Sequence, residues 1–127
     1  MKNILFVGSD PVYSSQMAET FASVYGKQKL NAFSKSTEQG KGLLFAKAEA
    51  SMKMKGYELI LKKNDASIAD EQFDCIINIV NEEQPLQCTF SNSKTWQIPK
   101  TENLTLKELN VVRDLIELKV KQLIATL

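Results

Sequence analysis

The side chains that could act as nucleophiles are few, and they come without a base. Ser9, Ser14 and Ser15 cluster around Asp10, Pro11, Val12 and Tyr13, just after the first apolar run, and Gly8 opens that cluster. The cysteines, Cys75 and Cys88, lie far along the chain from it. A serine hydroxyl attacks only when a neighbour takes its proton, and a cysteine attacks as its thiolate. Histidine is the usual partner for both, and the chain has 0 histidines. Ser–His and Cys–His pairs are therefore excluded, and so are the His-containing zinc sites. Asp10 alone is a weak base for this task, so Ser9, Ser14 and Ser15 read as turn and helix-capping residues. The sequence also has no G-x-G-x-x-G, no Walker loop and no histidine phosphoacceptor, so no cofactor is expected.

Composition narrows the class further. The chain has 127 residues, enough for one domain spanning 1–127 with a real core. Hydrophobic content of 43% and charged content of 24% are ordinary for a globular protein. A net charge of +1 gives no global field to draw nucleic acid or a membrane surface. The lysine pairs Lys53/Lys55 and Lys62/Lys63 read as solvated faces. Ile4–Leu5–Phe6–Val7 is too short for the core of a signal peptide, and no run approaches a membrane span. Two separated cysteines make no disulfide framework, which fits a reducing, cytoplasmic setting. Cys75 reads as a small buried hydrophobe and Cys88 as a loop residue.

The elements that must position the serine cluster follow from periodicity. Residues 3–7 form a compact apolar strand closed by Gly8-Ser9-Asp10-Pro11, a turn signal. A helix follows over 14–25, with Met17, Phe21, Val24 and Tyr25 at three-and-four spacing and Gly26 as its stop. Residues 30–34 read as a second strand, and 43–55 as a helix with Leu44, Ala48 and Met52 on one face and Gly56 at its end. Residues 57–61 fit strand or loop, and 62–70 loop or irregular helix. The clearest strand is 74–80, apolar and β-branched almost throughout, as a strand covered on both faces should be. Residues 81–102 are loop-like around a short strand at 95–98. Thr105-Leu106-Lys107-Glu108 is a capping box, and Leu109, Val112, Ile116, Val120 and Leu123 stripe the helix it opens. Strands alternating with helices predict an α/β layer with a mainly parallel sheet, its ligand site beyond the carboxyl ends of the strands.

The run Ile4 to Glu19 resembles the strand, phosphate loop and helix start of the low-molecular-weight tyrosine phosphatase and thioredoxin-coupled arsenate reductase superfamily. Ser15-Gln16-Met17-Ala18-Glu19 is most similar to the arsenate reductase form. Residues 73–80 resemble the strand leading to the family's second site loop, and residues 96–99 and the closing helix extend the likeness. The resemblance implies a three-layer α/β sandwich around a four-stranded parallel sheet, with a nucleophilic cysteine, an oxyanion-clamping arginine and an Asp-Pro general acid.

The residues that carry that chemistry are replaced. Gly8 stands at the cysteine's place and Ser14 at the arginine's. A thiolate held by inward-pointing amides attacks the phosphorus or arsenic, and glycine has no side chain for this. Arginine forks two donors onto an oxyanion, where Ser14 offers one neutral hydroxyl. Asp10 adds a carboxylate that repels phosphate and can itself occupy the helix N-terminus, and Pro11 removes an amide donor. Ile98-Pro99 stands for the Asp-Pro acid, and Val80 for the reductases' second cysteine. The resulting expectation is a catalytically inactive homologue acting as a binding or interaction protein. Its partner would be a protein or a second copy, met by the degenerate loop from Gly8 to Ser15 and a rim at Trp96 and Cys88. The alternative is a phosphatase or arsenate reductase with a displaced nucleophile, for which Cys88 is the one thiol in a suitable place. Tyr13 is expected as a partly exposed aromatic, and Trp96 serves equally as a packing residue.

Overall fold

The computed structural model describes residues 2–8, 14–36, 43–59, 73–81, 93–99 and 105–127. Among the described residues, four strands, β1 (Lys2–Gly8), β2 (Leu30–Ser36), β3 (Cys75–Asn81) and β4 (Ser93–Ile98), alternate with three helices, α1 (Ser14–Tyr25), α2 (Leu43–Lys53) and α3 (Leu106–Ala125). All strand pairs are parallel, in the order β2-β1-β3-β4. Parallel neighbours need a crossover, which explains why each strand run in the sequence is followed by a longer segment.

The four-stranded parallel sheet that the resemblance implies is present, with an apolar cluster on each face. On one face Ile4, Phe6, Ile77, Ile79, Trp96 and Ile98 pack against Met17 and Phe21 of α1, Ala48 and Met52 of α2, and the α3 stripe from Leu109 to Leu123. On the other face Leu5, Phe73 and Ile76 form a second cluster with Val7 and Phe33. Both faces are thus apolar, and this is why 74–80 reads as continuous rather than alternating. The first face is the larger core: Ile4, Phe6, Met17, Phe21 and Ile116 are 0% exposed.

The structure moves several expected boundaries. β4 begins at Ser93, two residues before the expected start, because parallel pairing sets Ser93 beside Ile76 and Lys94 beside Ile77. β2 runs to Ser36, paired with Gly8. These polar ends have little strand propensity, and the neighbouring strand recruits them. Gly26 does end α1, but not by a left-handed turn. Its amide donates to the Ala22 carbonyl at 2.8 Å, and a Cβ there would lie 2.8 Å from the Leu30 side chain. The glycine serves close approach of the helix end to β2.

Helix α2 stops at Lys53, with Gly56 at φ 87°. The Gly56 amide donates to the Lys53 carbonyl at 2.9 Å and the Tyr57 amide to the Met52 carbonyl at 3.0 Å, a Schellman stop. A Cβ at Gly56 would meet nothing within 4 Å, so the cost of Gly56→Ala is purely conformational. We expect about 1 kcal/mol of lost stability, read as a lower denaturation midpoint at unchanged slope.

The capping box of α3 is present as read. The Glu108 amide donates to the Thr105 hydroxyl at 3.2 Å, and the Glu108 carboxylate accepts from the Thr105 amide at 3.2 Å and hydroxyl at 2.9 Å. The donated backbone N–H, then the hydroxyl, holds the Glu108 carboxyl below its ordinary range. No helix among the described residues is long and apolar enough to cross a membrane.

Candidate functional site

The sheet's carboxyl end is where a parallel α/β fold builds its ligand site. Gly8 closes β1 there, between Ser36 of β2 and Ile79 of β3. Ser14 opens α1 six positions later. The loop residues between them, Ser9, Asp10, Pro11, Val12 and Tyr13, lie outside the described residues, as does Cys88.

What is described on either side of the loop is packed. Ser14 is 0% and Ser15 1% exposed, and the Ser15 hydroxyl donates to the Gln16 side-chain carbonyl at 2.9 Å. The Thr20 hydroxyl donates back to the Gln16 backbone carbonyl at 2.8 Å. Glu19 is fully buried against β2, where its carboxylate accepts from the Ser34 hydroxyl at 2.8 Å. Met17 and Ala18 lie in the main core. The run Ser15 to Glu19, which carries the strongest resemblance, is therefore packing for α1 against the sheet. It is fold-bearing sequence, and its packing needs no reacting side chain.

Trp96 corrects an expectation. It is 9% exposed, with its ring 5.7 Å from that of Phe6 inside the main core, so it does not stand on an open rim. Its place on β4 points it at the helix-covered face together with Ile98. The packing alternative is the one the structure carries. No ionisable acid stands at the described end of β4, where Ile98 is buried and Pro99 follows.

Cys75 is half-buried at the first position of β3, and burial pushes its thiol up despite the nearby Lys94 and Lys2 ammonium groups. It lines an open cavity of about 290 Å³ with Lys2, Asp74, Ser93, Lys94 and the end of α3. That cavity is at the amino ends of the strands. Cys75 pairs with Ile4, four positions before Gly8, which at about 3.3 Å per residue separates them by about 13 Å. A protonated thiol at the wrong end of the sheet cannot replace a nucleophile at Gly8. Among the described residues, no group of three His, Cys, Asp or Glu side chains is placed to hold a metal ion.

A polar cluster missed in the sequence lies at the far end of α1. Tyr25 is eleven residues beyond Ser14, about 16 Å along the helix. Its hydroxyl donates to the Glu117 carboxylate at 2.7 Å and lies 2.5 Å from the Tyr57 hydroxyl, which is then the donor of that pair. Lys55 is ion-paired with Glu117 and, at 3.1 Å, with Asp114. Lys121 sits 4.8 Å above the Tyr25 ring. Arg113, 8% exposed, donates to the Ser51 carbonyl at 2.8 Å and to Asp114 at 2.8 Å. Burial pushes the Glu117 carboxyl up, but Lys55 and Tyr25 outweigh it and leave the group below its ordinary value. The hydrogen bond with Tyr57, then burial and Glu117, pushes the Tyr25 phenol up. These shifts stabilise the neutral Tyr25 phenol and the charged Glu117 carboxylate. The partners come from three segments far apart in the chain, α1, α3 and the turn after α2, so no single local spacing announces the whole cluster.

A four-stranded parallel sheet whose first strand feeds a loop and a helix defines an α/β protein built around the carboxyl end of β1. Solved structures place it further. An arsenate reductase in the phosphate-binding state is similar over 99% of this chain and 98% of its own, with 24% identity and a TM-score of 0.80. An arsenate reductase from Archaeoglobus fulgidus DSM 4304 is similar over 96% and 98%, with 20% identity and a TM-score of 0.76. The YwlE arginine phosphatase from Geobacillus stearothermophilus is similar over 99% and 92%, with 15% identity and a TM-score of 0.71. No protein-family model matches the chain, and no curated protein matches it by sequence. The chain has the fold of the low-molecular-weight tyrosine phosphatase and arsenate reductase superfamily.

Proposed function

We propose that residues 1–127 form one non-catalytic domain of phosphatase-like fold, acting in the cytoplasm as a binding or interaction protein. The observation that carries the reading is the pair of positions flanking the loop. Gly8 ends β1 where the fold's nucleophile stands, and Ser14, at the arginine's place, is a neutral side chain with 0% exposure. Neighbours of this shape include a phosphate-binding arsenate reductase and an arginine phosphatase, both of which handle oxyanions. That chemistry needs an attacking group and a cationic clamp, and this sequence supplies Gly8 and Ser14 at those places, with Asp10 and Pro11 between them. Fold alone does not transfer an activity whose residues are absent. The loop residues between Gly8 and Ser14 are then the ones offered to a protein partner or a second copy, with no cofactor, and the buried Gly8, Ser14 and Ser15 frame them.

The test is turnover of p-nitrophenyl phosphate, and of arsenate with a thiol reductant, by the natural protein and by Cys88→Ser. No turnover above buffer is expected from either. Turnover that Cys88→Ser abolishes would overturn the reading and identify a displaced nucleophile. Turnover indifferent to Cys88 would overturn it in favour of a serine mechanism once a contaminating enzyme is removed by repurification.

A further inference from the structure

We draw no further inference here: the strongest candidate, the apolar face that the exposed Val111 and Leu118 form with the half-buried Leu115 on α3, is unpartnered, and nothing in the structure shows what covers it.

Discussion

Phe6→Ala is expected to cost about 3–5 kcal/mol, the range for emptying a fully buried aromatic site. Phe6 is 0% exposed on β1, which has a neighbouring strand on each side. Its ring meets Trp96 at 5.7 Å and 47°, within the cluster that joins the sheet to all three helices. A sheet residue held on both sides by strands and above by helices leaves few ways for the site to collapse, so the upper part of the range applies. Set against the 5–15 kcal/mol that typically holds a domain together, the loss is a large share of the whole. Chemical denaturation followed by the fluorescence of Trp96, the one tryptophan of the chain, reads it directly. The emission of the folded variant should also shift, because the ring loses its aromatic neighbour. Phe6→Leu, which keeps most of the volume, is expected to lose under half as much. A loss under about 1 kcal/mol for Phe6→Ala would show that β1 is not packed as described.

The same residue shows why so much of the fold was legible. The run from Ile4 to Val7 reads as a buried strand because it is short, apolar throughout and closed at once by the turn signal Gly8-Ser9-Asp10-Pro11. The run Cys75 to Val80 says the same, and the Thr105–Glu108 box fixes the start of α3 by its own hydrogen bonds. These signals are local, and the structure keeps them. Boundaries moved where a neighbour decides the outcome: Ser93 and Lys94 join the sheet through β3, and nothing in their own types requires it. In the sequence, Trp96 stands open between rim and core for a related reason. A lone tryptophan in a loop-like stretch reads as a surface anchor or as core, and only its strand register turns it toward Phe6. At the site the sequence was informative through substitution, since Gly8 and Ser14 are legible only against a pattern that expects other residues. The polar cluster at the far end of α1 was illegible because Tyr25, Lys55, Tyr57 and Glu117 are brought together by tertiary packing alone.

That cluster supplies the second large effect. Glu117→Gln is expected to cost about 2 kcal/mol at pH 7, because it leaves Lys55 without its closest carboxylate and weakens the acceptor of the Tyr25 hydroxyl. The figure sits below that for a deeply buried pair, since the Lys55 side chain is 34% exposed and keeps Asp114. The pH dependence separates this account from simple misfolding of the variant. A carboxyl whose folded pKa is depressed contributes stability that is complete above its unfolded value and is lost as pH falls through the folded one. For Glu117 the contribution is complete above the ordinary value of 4.5 and is lost as pH falls from there through the depressed folded value, below which the natural side chain is itself uncharged. The gap between the natural protein and Glu117→Gln should therefore be widest near neutrality and close in acid. At the alkaline end the sign reverses. Lys55 and Tyr25 are both shifted upward, Lys55 mainly by the Glu117 hydrogen bond and Tyr25 mainly by the Tyr57 one. Their contributions are full below the ordinary values of 10.5 and 10.0 and fade as pH climbs through the raised ones. Denaturation midpoints of the two proteins between about pH 3 and 11 test both limbs. A pH-independent offset would mean that Lys55 and Glu117 do not pair in solution. Closure of the gap in acid would place this charge network in the cohesion of α1, α3 and the turn after α2, at the opposite end of α1 from the loop that Gly8 opens.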